Sequence, residues 1–417
     1  MDTYKITGGE KISGEIEIQG SKNSALPIIA SSILIKGTAV IKNVPNIRDV
    51  LIMQDILKKL GCKVNYDNNV LTVNSKDCDQ EEISSELMKE MRSSIVLMGA
   101  ILTRQGRVIL SYPGGCEIGS RPIDLHLEGL RKLGAKIYEK HGYIVCEAEK
   151  LIGAEINLDF PSVGATENIM LAATLAEGTT IIRNAAREPE IIELQAFLKK
   201  SGANIHGAGT SNVVITGVKS LRDVNYEVKF DRIVAGTYLC GAAMTRGELL
   251  IKNAVIENVL PIIHKLQQAG CLVEDDGINQ IYLRAPDKLK AVSTIKTMPY
   301  PGFPTDMQSQ IVTLLSIAKG TSVVVENIFE NRYKYVSELT KMGAEITIEG
   351  KIAIINGVNK LTGAMIEAKE LRGGASLVLA GLTAEGYTSV SGVKYIERGY
   401  ENFVETLKLL GAKIQKN

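Results

Sequence analysis

Apolar residues along this chain recur with two alternating periods. Leu26, Ile29, Ala30 and Ile33 follow the i, i+3, i+4, i+7 spacing of one helical face. A Gly and a short β-branched run come next, as in KGTAVIKNV from Lys36, EGTTIIRNA from Glu177 and KGTSVVVEN from Lys319, and these runs read as strands. The stretches Ile169–Ala176 and Ile311–Ala318 are apolar nearly all round, which predicts helices buried on every side.

A phrase of the form Leu-x-x-x-Gly-small-x-aliphatic then occurs six times. It reads LKKLGCKV, LRKLGAKI, LKKSGANI, LQQAGCLV, LTKMGAEI and LKLLGAKI, with its glycines at Gly61, Gly134, Gly202, Gly270, Gly343 and Gly411. In each, a helix ends in basic or polar residues, Gly takes the left-handed position where a Cβ would clash, and the aliphatic residue opens a strand. The glycine spacings run 73, 68, 68, 73, 68, and the first, second and third glycines lie 209 residues from the fourth, fifth and sixth. The chain therefore reads as a duplicated half that is itself a triplication. Each repeat is roughly helix, strand, helix, strand, strand. Three repeats closing around buried helices, twice over, predict two similar α/β domains with a cleft between them. A solenoid of six stacked units is the alternative, but a period near 70 exceeds the usual solenoid repeat of about 20–50 residues.

Composition narrows the function. With 48 Lys+Arg against 47 Asp+Glu the net charge is +1, and there is no Trp, so neither a uniformly basic nor an aromatic nucleic-acid surface is indicated. No apolar run approaches the length of a membrane span, and the start MDTYK is not a signal peptide. The six cysteines are scattered without C-x-x-C spacing, and the four histidines lack zinc-ligand spacing. The expectation is a cytoplasmic protein with reduced thiols, no membrane insertion and no metal.

Candidate chemistry lies where the repeat is broken. Gly20-Ser21-Lys22-Asn23-Ser24 precedes a helix, which suits an anion, or else is a Ser or Asn cap beside a solvated Lys. The segment Ser111–Pro122 is a Gly/Pro-rich loop holding Cys116 near Arg121, where a thiol can act as nucleophile or acid. Asp306 joins the YPGFPT loop to an apolar stretch, as a helix cap or as a general base. Arg92, Arg121, Arg332, Arg372 and Arg398 stand at segment ends, either solvated or converging as a phosphate and carboxylate clamp.

The motifs GSKNSALPI, MRSSI, PGGCEIGSRPIDLH, SVGATE, NAAREPEI, GFPTDMQ, FENRY and ERGY span the chain. Together they resemble the UDP-N-acetylglucosamine 1-carboxyvinyltransferase family of enolpyruvyl transferases. The resemblance implies a pair of inside-out α/β barrels with the active site in the cleft. Residues 22–229 would form the domain carrying the Cys116 loop, and residues 1–21 with 230–417 the other. It implies transfer of the enolpyruvyl group of phosphoenolpyruvate to the 3′-hydroxyl of UDP-N-acetylglucosamine by addition and elimination, without a cofactor. That step commits sugar nucleotide to peptidoglycan synthesis, on which cell shape and division depend.

Residue by residue, the resemblance makes Cys116 the general acid and the target of the epoxide phosphonate fosfomycin. Asp306 becomes the base and a contact of the 3′-hydroxyl. Lys22, Arg121 and Arg398 hold phosphate, and Arg332 and Arg372 help hold the carboxylate. Asn23, Arg92, Asp124, Leu125, Ser162, Val163, Gly164 and Ile328 match positions that hold the nucleotide. Two positions depart from the family pattern: Glu370 stands where an Asp is common, and Phe160 where a Lys often meets the diphosphate. Two rivals remain, a shikimate 3-phosphate enzyme of the same fold and a paralogue that only senses the sugar nucleotide. A Gly/Pro loop between two domains also predicts closure on nucleotide binding, visible as a smaller radius of gyration.

Overall fold

The computed structural model describes residues 2–112 and 122–417. Contacts divide the chain into two compact units, one running from Gly20 to Lys229 and the other combining the residues up to Gln19 with Phe230–Asn417. Cys116 and Arg121 lie outside the described residues.

Each repeat folds as strand, helix, strand, helix and two antiparallel strands, one strand more than the sequence pattern indicates. In the third repeat the elements are Glu155–Asn157, helix Val163–Ala173, Thr179–Arg183, helix Pro189–Lys200, Asn204–His206 and Asn212–Thr216. The leading strand runs parallel to Thr179–Arg183, which pairs antiparallel with Asn212–Thr216, which in turn pairs with Asn204–His206. Ile156, Ile182 and Val213 share one row of this register and are all buried, because alternate side chains face the helices. The leading strand has only three residues, too few to show an alternation in sequence.

Six four-stranded sheets are built this way. In the first repeat of each unit the leading strand is borrowed. Val224–Glu227 runs parallel to Thr38–Lys42, and Gly14–Ile16 runs parallel to Glu248–Ile251. The last sheet takes Tyr4–Thr7 between Tyr387–Ser391 and Lys413–Lys416. The six phrase glycines all take left-handed backbone, with φ from 92° at Gly343 to 104° at Gly202.

Each repeat has one helix buried along most of its length. In the unit ending at Lys229, helix Leu97–Gln105 packs on Lys22–Ser31 and Val163–Ala173. In the other unit, helices Arg232–Met244, Gln308–Leu315 and Leu371–Thr383 pack on one another. Their buried hydroxyls return bonds to the helix backbone: Thr237 Oγ1 donates to Ile233 O at 2.8 Å and Thr313 Oγ1 to Ser309 O at 2.8 Å. These hydroxyls are therefore satisfied within their own helices, and the starts of the same helices carry the candidate site.

Candidate active site

In the unit containing Phe230–Asn417, Asp306 sits on a single turn of 3₁₀ helix, Thr305–Met307, which leads into Gln308–Leu315. Its Oδ1 accepts from Arg332 Nη2 at 3.0 Å, and its Oδ2 accepts from Arg372 Nη2 at 3.3 Å. The two arginines are 2% and 1% exposed, so the reading of solvated turn residues is corrected: they are core groups turned inward on one carboxylate. Arg332 Nε, Arg372 Nε and Arg372 Nη1 are buried N–H donors with no hydrogen-bond partner. Leaving such donors unmade costs about 1–3 kcal/mol each, more for charged groups, so they mark a place for an anion. Burial works against the Arg332 charge but is outweighed by Glu370, Asp306 and Glu326, so this guanidinium is held above its ordinary pKa.

Three neighbours fix this geometry. Glu370 caps helix Leu371–Thr383, with Oε2 accepting from Arg372 N at 2.8 Å and Oε1 from Gly373 N. Glu370 thus holds the turn that carries Arg372. Buried Glu326 accepts from Thr305 Oγ1 at 3.0 Å and from Ile328 N at 2.8 Å, tying the Asp306 turn to Ile328. The Tyr400 ring lies 5.5 Å below the Arg372 guanidinium, and its hydroxyl is 2.9 Å from Thr237 Oγ1 and accepts from Gln310 Nε2 at 3.4 Å. Thr237 already donates to Ile233 O, so Tyr400 is the donor in their bond. Arg398 is half-buried in the turn just before Tyr400, and that turn is anchored by Gln19, whose Nε2 donates to Gly399 O at 3.1 Å.

The unit Gly20–Lys229 presents a second group. Ser21 caps helix Lys22–Ser31 through an Oγ bond from Ser24 N at 3.2 Å, as the capping reading expects. Lys22 is not a solvated neighbour of that cap, however: its Nζ lies 3.4 Å from Oδ2 of Asp49, which is fully buried. Asn23 is half-buried beside it. Arg92 opens the turn Arg92–Val96, which packs against helices Lys22–Ser31 and Val163–Ala173. Ser162 caps the latter, accepting from Ala165 N at 3.3 Å, with Val163 and Gly164 in its first turn. Asp124 and Leu125 open helix Asp124–Lys132, the former exposed and the latter half-buried. Phe160, 44% exposed, offers no cation.

Behind these lies His126, which sequence reasoning passed over. Asn168 Oδ1 accepts from Gly99 N at 2.7 Å, which fixes its amide orientation, and Nδ2 then donates to Ile95 O at 2.9 Å and to His126 Nδ1 at 2.7 Å. The neutral imidazole therefore carries its proton on Nε2. Burial, then Arg92, push its pKa down to about 4, against the opposing pull of Asp124. A Cβ on Gly164 would come 3.0 Å from His126 Cε1, so glycine lets this helix start reach the ring. His126 stands in the PIDLH end of a motif, and Tyr400 in ERGY, so both were visible as letters. Asp49 and Glu326 carried no signal at all.

A family model described as EPSP synthase (3-phosphoshikimate 1-carboxyvinyltransferase) matches residues 6–407. The chain belongs to this enolpyruvyl transferase family. It is 55% identical to UDP-N-acetylglucosamine 1-carboxyvinyltransferase 2 of Caldanaerobacter subterraneus subsp. tengcongensis over 99% of both chains. It is 49% identical to UDP-N-acetylglucosamine 1-carboxyvinyltransferase 2 of Carboxydothermus hydrogenoformans, covering 100% of this chain and 99% of the relative. Among solved structures, the enolpyruvyl transferase NikO from Streptomyces tendae superposes with a TM-score of 0.90 at 24% identity, covering 100% and 99% of the two chains. EPSP synthase from Acinetobacter baumannii gives 0.77 at 20% identity, covering 100% of both. At those identities the likeness establishes the fold, the inside-out α/β architecture of this enolpyruvyl transferase family. Among the described residues no helix is long and apolar enough to cross a membrane, and no group of three or more potential metal ligands occurs.

Proposed function

We propose that this chain transfers the enolpyruvyl group of phosphoenolpyruvate to the 3′-hydroxyl of UDP-N-acetylglucosamine and releases phosphate, in peptidoglycan synthesis. Full-length relatives at 49–55% identity carry the name of that activity. The observation that carries the chemistry is Asp306 between two buried arginines that keep further N–H donors unpartnered.

The roles follow from what the reaction needs. Asp306, held in place by two guanidinium groups, is assigned as the base that takes the proton of the attacking 3′-hydroxyl. The free Nε and Nη1 of Arg372 and the free Nε of Arg332 can receive the substrate carboxylate without displacing Asp306. Lys22, Arg121 and Arg398 are assigned to the leaving phosphate, whose developing charge cations stabilise. Cys116 is assigned as the acid that protonates the methylene carbon. The starts of the helices at Asn23, Asp124 and Ser162 to Gly164, with Arg92, Leu125 and Ile328, are assigned to the nucleotide, whose diphosphate suits backbone N–H groups. This reading also makes the protein a cytoplasmic enzyme sensitive to fosfomycin.

Phosphate release from phosphoenolpyruvate, with UDP-N-acetylglucosamine or shikimate 3-phosphate in parallel, tests the reading. Turnover with the sugar nucleotide alone supports it. Turnover with shikimate 3-phosphate overturns the acceptor, and sugar-nucleotide binding without any turnover makes the chain a sensor.

A further inference from the structure

Two of the buried cysteines occupy an environment that the enolpyruvyl chemistry does not use. Cys62 follows the left-handed Gly61 at the end of helix Arg48–Lys59, and Cys78 lies in the connection after strand Val70–Asn74. The two segments are fastened together on both sides of the cysteines. Leu60 O accepts from Asp79 N at 3.2 Å and from Gln80 N at 3.4 Å, and Lys63 Nζ pairs with Asp77 Oδ2 at 3.1 Å. A Cβ on Gly61 would come 3.4 Å from the Cys78 Cα, so the backbones that carry the two cysteines are packed against each other. Both residues are about as buried as core side chains, at 5% and 4% exposure.

The surroundings of Cys78 are arranged for a negative sulfur. Gln105 Nε2 donates to Cys78 O at 2.7 Å and lies 3.8 Å from Sγ. Arg104 donates through Nη2 to Ser75 O at 2.9 Å and to Lys76 O at 3.1 Å, while its Nη1 is buried without a partner. Its charge acts on both thiols in the direction of ionisation. The neighbouring Cys62 thiol works the same way on Cys78 and holds its pKa below the ordinary thiol value, although burial opposes it. The chain offers a contrast within itself. Cys240 and Cys271 also lie near one another, but there burial pushes both thiols up.

We propose that Cys62 and Cys78 form a redox-active dithiol site that closes to a disulfide when the folded protein meets a peroxide. The Cys78 thiolate attacks one peroxide oxygen, the O–O bond breaks, and hydroxide leaves, giving Cys78 sulfenic acid. The Cys62 sulfur then attacks the Cys78 sulfur, the S–O bond breaks, and the thiol proton leaves with the hydroxyl as water. Peroxide is reduced and the two thiols are oxidised. Arg104 favours the thiolate that starts the sequence, and Cys62 sits on the segment packed against Cys78.

The test is hydrogen peroxide treatment of the full-length folded protein, thiol blocking, and tryptic mapping without reductant. The expected product is Leu60–Lys63 joined to Asp77–Lys89, two hydrogen atoms lighter than their sum and separated by dithiothreitol, while Cys240 and Cys271 are recovered alkylated. Cys78→Ser should abolish the cross-link, and Arg104→Leu should slow it, with the circular dichroism of each variant confirming that it is folded. Recovery of Cys62 and Cys78 as separate alkylated or separately oxidised peptides overturns the proposal, as does cross-linking of Cys240 to Cys271 at the same rate. An unchanged rate in Arg104→Leu removes the role given to that cation.

Discussion

Acidification should destabilise the unit that holds His126, by an amount the structure sets. Its pKa in the fold is about 4, against an ordinary value of 6.5. The folded imidazole is neutral where the unfolded one is charged, so the unfolded chain binds the extra proton. The His126 contribution is therefore complete above pH 6.5 and is lost progressively as pH falls toward 4. At roughly 1.36 kcal/mol per pH unit the full loss is about 3 kcal/mol, of which about 2 kcal/mol has gone by pH 5. Buried carboxyls work in the opposite sense: Glu193 is pushed up to about 7, mainly by burial, and so favours folding as pH falls. The total profile thus hides the histidine, and a difference measurement exposes it. Urea midpoints of the parent and His126→Gln, taken from pH 7.5 to 5, should show the parent's advantage shrinking by about 2 kcal/mol. A stability gap independent of pH, or a His126 NMR resonance that titrates near 6.5, would refute the argument.

Other outcomes follow from the arginine cluster and its supports. Asp306→Asn should lower kcat for phosphate release by about 10²–10⁴-fold if the carboxylate is the base, and a loss of under tenfold would exclude that role. Glu370→Ala removes both cap bonds and should lower stability by about 0.5–2 kcal/mol in denaturant, whereas Glu370→Gln should recover part of it; equal losses would mean the cap is unimportant. Tyr400→Phe deletes the hydroxyl shared with Thr237 and Gln310 and should cost about 1–3 kcal/mol, with the KM for phosphoenolpyruvate rising; an unchanged KM would show that Arg372 needs no such support. Fosfomycin should add one adduct to the parent and none to Cys116→Asp in intact-mass analysis, and an adduct on the variant would place the reactive thiol elsewhere.

The repeat was legible because its glycines are required by backbone geometry. A residue at φ near 100°, as at Gly134 or Gly202, is costly for anything else, so the signal survives in six places. The leading strands were not legible. Glu155–Asn157, Thr294–Lys296 and Met365–Glu367 have three residues each, and they hold their places through parallel pairing rather than through a pattern of their own. Local chemistry divides the same way. The cap at Ser21 could be read from the residues around it, whereas the cap at Ser162 emerged only in the fold. The burial of Arg332 and Arg372 could not, since their shared partner lies 26 and 66 residues away along the chain. Asp49, inside an ordinary amphipathic helix, meets Lys22 only because that helix folds back on its neighbour.

The strand Tyr4–Thr7 is the third of four in its sheet, bounded by Tyr387–Ser391 on one side and Lys413–Lys416 on the other. It leaves the ribosome long before either partner, since both lie far downstream along the chain. The sheets of the unit Gly20–Lys229 are complete once Val224–Glu227 has emerged, so that unit can finish folding while almost half the chain is still unmade. The other unit has to keep Tyr4–Thr7 unspent until Lys413–Lys416 arrives. A nascent chain stalled a handful of residues short of Asn417 would carry one finished unit and one still open.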